Sequence, residues 1–247
     1  MNKPTPELDR IFNEGVAIKK PIEDDTEVSK LKTLLLVSTL LGQFENIENP
    51  NLYSKSKYYN FDKNMKSIID NMSKEHIRLM TKSFGRTYVE SNPFQTTVST
   101  TQVSKALNTN WVGRTFKDST ANHINTLKRS IGKIVQDGFS SKQPIRGIMS
   151  DINKRFDVYN SRIEALVRTE TQYFIVNGRK DRYKEKGYKE LEYIAIIDKL
   201  TSDICLSLDG TIIPIEDAMS GINMPPMHTN CRSEVSPIML NTTNLTQ

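Results

Sequence analysis

Hydrophobic residues recur at three- and four-residue steps along much of the chain. From Thr26 to Asn46, Val28, Leu31, Leu34, Leu35, Val37, Leu40 and Leu41 follow a cap-like Asp24-Asp25-Thr26, which predicts an amphipathic helix. Asn49-Pro50-Asn51 and the Ser, Lys and Tyr residues up to Tyr59 interrupt it. Met65, Ile68, Ile69, Met72, Ile77, Met80 and Phe84 then restore the helical period and predict a second long helix. The stretch from Ser91 to Thr101 is rich in Ser, Thr and Asn, a composition that favours side-chain to backbone bonding over helix, and a boundary is placed there.

Beyond that boundary Ile124, Leu127, Ile131, Ile134 and Val135 share one helical face, with Asn125, Lys128, Arg129 and Lys133 on another. Gly138 stands where this helix can end, and Ser140-Ser141 can start the next. Ile163, Val167, Glu170 and Phe174 step by four, three and four, so a helix from about Val158 to Lys186 carries a carboxylate within its apolar stripe. After Gly187 the period shortens to two. Leu191, Tyr193, Ala195 and Ile197 alternate with more polar positions as a strand does, and Leu208-Asp209-Gly210-Thr211 carries a hairpin-turn signal before Ile212-Ile213. The fold class predicted is α+β: a mainly α-helical N-terminal region, then a helical segment packed on a small C-terminal β-sheet. Residues 1–101 form the first region, 102–240 the second and 241–247 a polar tail.

Composition narrows the function classes only a little. With 36% hydrophobic and 26% charged residues in 247, the chain is polar but able to form a core. The opening Met1-Asn2-Lys3-Pro4-Thr5-Pro6 lacks the apolar run of a secretion signal, so export by that route is not expected. Leu31 to Phe44 is interrupted by Lys32, Ser38 and Thr39 and is too short to cross a bilayer of about 30 Å. A net charge of +5 permits contact with nucleic acid, yet the excess is not gathered in one run. Cys205 and Cys231 cannot make a disulfide framework and read as a reduced pair in a reducing cytoplasm.

The residues with chemical potential lie in the second half. Arg168 and Glu170 are two positions apart and point to nearly opposite helix faces, so they cannot pair with each other. Glu164 is placed to pair with Arg168, whereas Glu170 needs a donor from the C-terminal segment, with Arg232 the obvious candidate. Cys205, His228 and Cys231 could supply three zinc ligands, with Asp203 or Asp209 as a fourth, but the spacing is poor because Leu208 stands where a CxxC pair would need its second cysteine. The competing reading is a packed cysteine pair with His228 hydrogen-bonded to backbone. A cysteine nucleophile with His228 as base gains nothing from their nearness in sequence. Arg179, Lys180, Arg182, Lys184 and Lys186, interleaved with Tyr183 and Tyr188, could touch DNA phosphates or could simply form a solvated, basic helix end. Trp111 reads as a core anchor, and Pro225-Pro226 as an extended approach that fixes where His228 to Arg232 dock.

Three groups of motifs, taken in order, resemble the phage head morphogenesis family, the Mu F-like minor head proteins of tailed bacteriophages. They are Asp137-Gly-Phe-Ser140 with Leu166-Val-Arg-Thr-Glu-Thr171; Asp198 with Thr201-Ser-Asp-Ile-Cys205 and Leu208-Asp-Gly210; and Pro225-Pro-Met-His-Thr-Asn-Cys-Arg-Ser233. The resemblance spans roughly Trp111 to Pro237. It implies structural roles for Arg168, Thr169, Glu170, Asp198, Cys205, Asp209, Gly210, Pro226, His228, Asn230, Cys231 and Arg232, and no catalytic residue. It further implies a virion protein, made in the host cytoplasm, that lies in the capsid interior near the portal. Its expected partners are the portal protein, the major capsid or scaffolding protein, and packaged DNA bound without sequence preference. No cofactor follows from the resemblance itself. The alternative is a small metal-dependent hydrolase or nuclease using Glu170, His228 and Cys231. The resemblance does not extend to residues 1–101, whose amphipathic helices are candidates for portal or scaffold contact.

Overall fold

The computed structural model of the chain describes residues 55–94 and 96–238. The helix read over Thr26–Asn46 and the tail from Asn241 lie outside the described residues. In chain order the elements are α1 (Lys55–Glu90), α2 (Thr100–Leu107), α3 (Phe116–Ser140), α4 (Ile145–Glu185), β1 (Glu190–Ile194), α5 (Asp203–Leu208), β2 (Ile212–Pro214) and β3 (Glu234–Pro237). The α+β expectation is borne out. The described residues fall into two compact units, one of 55–80 with 116–164 and one of 81–115 with 165–238.

The first unit is helical. Met65, Ile69, Met72 and Met80 of α1, Ile124, Leu127, Ile131 and Val135 of α3, and Ile148, Ile152, Phe156, Tyr159 and Ile163 of α4 are all buried. Each set steps by three, four or eight, so each helix turns one apolar stripe inward and keeps its charges outside. Helix α3 runs past Gly138 to Ser140, two residues further than its glycine suggested. It ends in a Schellman pattern: Lys142 N–H donates to Phe139 O at 3.1 Å and Gln143 N–H to Gly138 O at 2.8 Å, with Lys142 at φ 56°. Pro144, which has no N–H to extend α3, precedes α4. Two further boundaries differ from the sequence reading. Helix α1 already starts at Lys55 within the polar stretch, and α4 is continuous from Ile145 instead of starting anew near Val158.

The second unit carries the sheet. Its strand order is β2-β1-β3, with both neighbours antiparallel to β1, which pairs Leu191 with Ile213 and Tyr193 with Val235. Leu191, Tyr193, Ile213 and Val235 are buried on one face and pack with Val176 and Tyr183 of α4. Asp209-Gly210 does form a turn, closed by Thr211 N–H donating to Leu208 O at 3.0 Å, with Gly210 at φ 74°. Asp209 at φ −55°, ψ 129° makes it a type II turn, leading from α5 into β2 and not directly joining two strands as the hairpin reading had it. The Ser/Thr-rich stretch ends in a helix start: Ser99 caps α2 and forms a capping box with Gln102, so its composition encodes a cap as well as a loop.

Candidate functional site

Within the second unit, Thr169, Gln172, Val176, Arg179 and Tyr183 step by three, four, three and four along α4 and are all buried. This face grips the chain just before and at the start of β3. The Thr169 hydroxyl accepts the Asn230 N–H at 2.9 Å, in a turn where Asn230 adopts φ 61°, a conformation asparagine tolerates better than most residues. Gln172 Nε2 donates to Ser233 O and to Glu234 Oε1, both at 2.8 Å. The Arg179 guanidinium, 2% exposed, donates to Glu234 Oε2 at 2.9 Å. A buried ion pair persists only when its remaining polar atoms are also satisfied, and Gln172 supplies that second contact to Glu234.

One residue further round the helix, a rotation of about 100°, Glu170 is 3% exposed and accepts from Trp111 Nε1 at 3.2 Å. Trp111 in turn stacks on Tyr173, with ring centroids 5.1 Å apart and planes 9° from parallel. Burial drives the Glu170 carboxyl up to about 7, against the opposing pull of Trp111 and the Arg114 charge. The expected Glu170–Arg232 pair does not form, because Arg232 forks onto the Asp198 carboxylate at 2.6 and 2.7 Å. That pair, with the Leu200 N–H, holds Asp198 well below the usual carboxylate range. Asn177 Nδ2 donates to Ser220 Oγ at 2.9 Å, and Ser220 donates to Pro225 O at 2.8 Å. Pro226 is buried beyond a cis peptide bond from Pro225.

The basic stretch divides sharply by burial. Arg182 is 1% exposed, lies over the Tyr88 ring, and has Nη1 3.2 Å from a Glu185 oxygen. Lys180 is half-buried and reaches Ala218 O at 3.3 Å. Lys184 pairs with Glu216 at 2.5 Å and Lys186 sits over Phe94, so these two exposed lysines are the ones with solvent-facing charge, while Arg179 and Arg182 face the protein interior. Arg168 is exposed.

Cys205 and Cys231, 3% and 2% exposed, belong to the apolar core beneath the sheet. Ser202 caps α5 and accepts the Cys205 N–H at 3.3 Å, which sets Cys205 on the inner side of that short helix. His228 and Cys231 close one turn, through Cys231 N–H donating to His228 O at 3.1 Å. As a result Cys205 Sγ lies 3.2 Å from His228 Nε2 and 3.7 Å from Cys231 Sγ. Burial opposes ionisation of Cys205, but hydrogen bonds with Ser202, Ser233, Tyr193 and Cys231 bring its thiol down to about 7; burial pushes the Cys231 thiol up. Among the described residues these three are the group able to hold a metal ion, with donor atoms all within 4.8 Å of one another. Neither suggested carboxylate completes the group: Asp209 instead accepts the Ala195 N–H at 2.8 Å, and Asp203 is not among the three. Glu170 is not a member either, so the trio written for a hydrolase or nuclease is not brought together.

Sequence reasoning missed Gln172, Asn177, Ser220 and Glu234. The signal for the first was present, since Gln172 shares a helical stripe with Val176 and Tyr183. Ser220 and Glu234 gave none, because their partners lie 43 to 62 residues away.

Residues 129–236 match the family model described as Phage Mu protein F like protein. Over that span the chain is similar to the Mu F-like phage head-morphogenesis proteins, in the region where its motifs pointed to that family. No curated protein and no solved structure matches the chain. Among the described residues no helix is long and apolar enough to cross a membrane.

Proposed function

We propose that this chain is a minor head protein of a tailed bacteriophage that enters the procapsid with the portal, stays in the capsid interior near the portal vertex, and assists DNA packaging or ejection by binding and not by catalysis. The family match supports the head assignment. The observation that carries the binding role is where the motif residues spend their polar groups. Thr169 holds Asn230, Arg232 holds Asp198, and Asp209 holds the β1 end at Ala195, so these motif groups are engaged in fixing the fold. The portal protein is the first partner, with major capsid or scaffolding protein the next. Lys184 and Lys186 are the residues of the basic stretch available to packaged DNA, and such contact would be weak and salt-sensitive.

Assembly in cells tests this. Procapsids made with the portal protein should contain the chain, and procapsids assembled without it should lack the chain. Equal incorporation in both would reject entry through the portal.

A further inference from the structure

The geometry points to a structural zinc site formed by Cys205 Sγ, Cys231 Sγ and His228 Nε2, clasping α5 to the turn that leads into β3. This goes beyond the head assignment and does not depend on it. Two thiolates at a Zn–S distance of about 2.3 Å on a tetrahedral ion stand about 3.8 Å apart, and a thiolate and an imidazole nitrogen about 3.5 Å apart. The separations from Cys205 Sγ are 3.7 Å to Cys231 Sγ and 3.2 Å to His228 Nε2, each within a few tenths of an ångström of those values, and all three donors lie within 4.8 Å of one another.

The histidine is already oriented as a ligand. His228 Nδ1 lies 2.8 Å from Thr229 O, and since a carbonyl can only accept, Nδ1 carries the proton and Nε2 presents its lone pair towards Cys205 Sγ and Ser202 Oγ. Backbone N–H groups of Met227 and Ser233 bond to Cys231, contacts that suit a thiolate better than a thiol. Two thiolates, an imidazole and no carboxylate is a donor set that favours zinc over magnesium, calcium or manganese. Binding Zn2+ displaces the two thiol protons to solvent, and the ion with two thiolates is then electrically neutral, as a site within an apolar core requires.

The site is a clasp and not a reaction centre. Both cysteines are buried within the apolar core, and Ser202 Oγ stands 2.8 Å from His228 Nε2, beside the donor atoms. The two cysteines are 26 residues apart, so the ion closes a loop that holds α5, the type II turn and β2. Metal affinity then becomes folding stability for that segment.

The test uses the full chain purified from zinc-supplemented cells without chelator. Elemental mass spectrometry should find about one zinc per chain, released when the thiols are blocked with an organomercurial. Cobalt exchanged into the wild-type protein should give tetrahedral d–d bands and a thiolate-to-cobalt charge-transfer band, a readout that needs no variant to fold. Cys231→Ser should lower zinc content at least tenfold and remove one thiolate's share of that band. The proposal is overturned if the native chain is zinc-free with both thiols titrating, if it carries a Cys205–Cys231 disulfide, or if zinc persists undiminished in Cys205→Ser and Cys231→Ser.

Discussion

The two units bury different kinds of side chain. Among the described residues the helical unit closes mainly on Met, Ile, Leu, Val and Phe, with Ser119, Thr120 and Asn160 beside them and with His76 and Tyr159 as its buried titratable groups. The sheet-bearing unit buries Glu170, Arg179, Arg182 and Glu234 together with Gln172, Asn177 and two cysteines. An apolar stripe is enough to dock helices, because ridges and grooves accept several neighbouring registers at similar cost. Four-residue and three-residue strands offer little area, and a buried polar network that is satisfied in one arrangement alone gives them a defined register. The Mu F-like motifs are concentrated where that second strategy operates.

The largest expected difference between the units comes from breaking their ion pairs. Glu234→Ala removes the buried carboxylate to which the Arg179 guanidinium donates and should cost about 3–5 kcal/mol in urea unfolding. Asp70→Ala in the helical unit removes the partner of Lys128 at a site where Asp70 is 49% exposed, and should cost about 1 kcal/mol or less. Similar losses for both would end the contrast.

Protonation should separate the units next, with opposite signs. Glu170 binds its proton more tightly folded, at about 7, than at the ordinary 4.5, so its contribution is fully present below pH 4.5 and is lost as pH rises to 7. His76 is the reverse: burial lowers it from 6.5 to about 4 despite the Glu75 charge, so its contribution is present above pH 6.5 and is lost as pH falls toward 4. Each is worth about 3 kcal/mol at most. Glu170→Gln, which keeps an acceptor for Trp111, should therefore gain stability over wild type as pH rises from 4.5 to 7. His76→Gln should gain over wild type as pH falls from 6.5 to 4. Urea midpoints across that range read both, and parallel pH profiles for wild type and variants would contradict the assignment.

A smaller effect concerns two glycines in helices. A Cβ on Gly178 would stand 2.7 Å from Tyr88 O and 2.1 Å from Ser91 Oγ, whereas one on Gly138 would meet the Ile148 side chain at 2.6 Å. Backbone cannot yield as an isoleucine rotamer can. Gly178→Ala should cost about 1–3 kcal/mol, and Gly138→Ala less, as thermal unfolding of the pair would show.

Much of the fold was legible in the sequence because it rests on periodicity. The Met65–Phe84 and Ile124–Val135 stripes and the Leu191–Ala195 alternation each encode a buried face, and burial follows them. Boundaries were less legible where caps compete with helix formers: Ser99 and Gln102 start α2 in a stretch whose composition read as loop, and Lys55 opens α1 among polar residues. Side-chain partners were the least legible. Glu170 was recognised as needing a donor, but that donor is Trp111, 59 residues upstream, and nothing local distinguishes it from Arg232. The basic stretch Arg179 to Lys186 read as one surface, yet its two arginines share a stripe with Val176 and Tyr183 or lie beside it, and burial follows the stripe more closely than the charge. Cys205, His228 and Cys231 were named as a set in spite of poor spacing, and tertiary folding brings them together.

The central claim is that this chain is a component of the phage head held at the portal. Quantitative mass spectrometry of washed mature virions of the source phage, counting this chain against the portal protein, tests it most directly. A few copies per portal ring are expected. Absence from washed particles, or a copy number that follows the major capsid protein instead, would contradict the account.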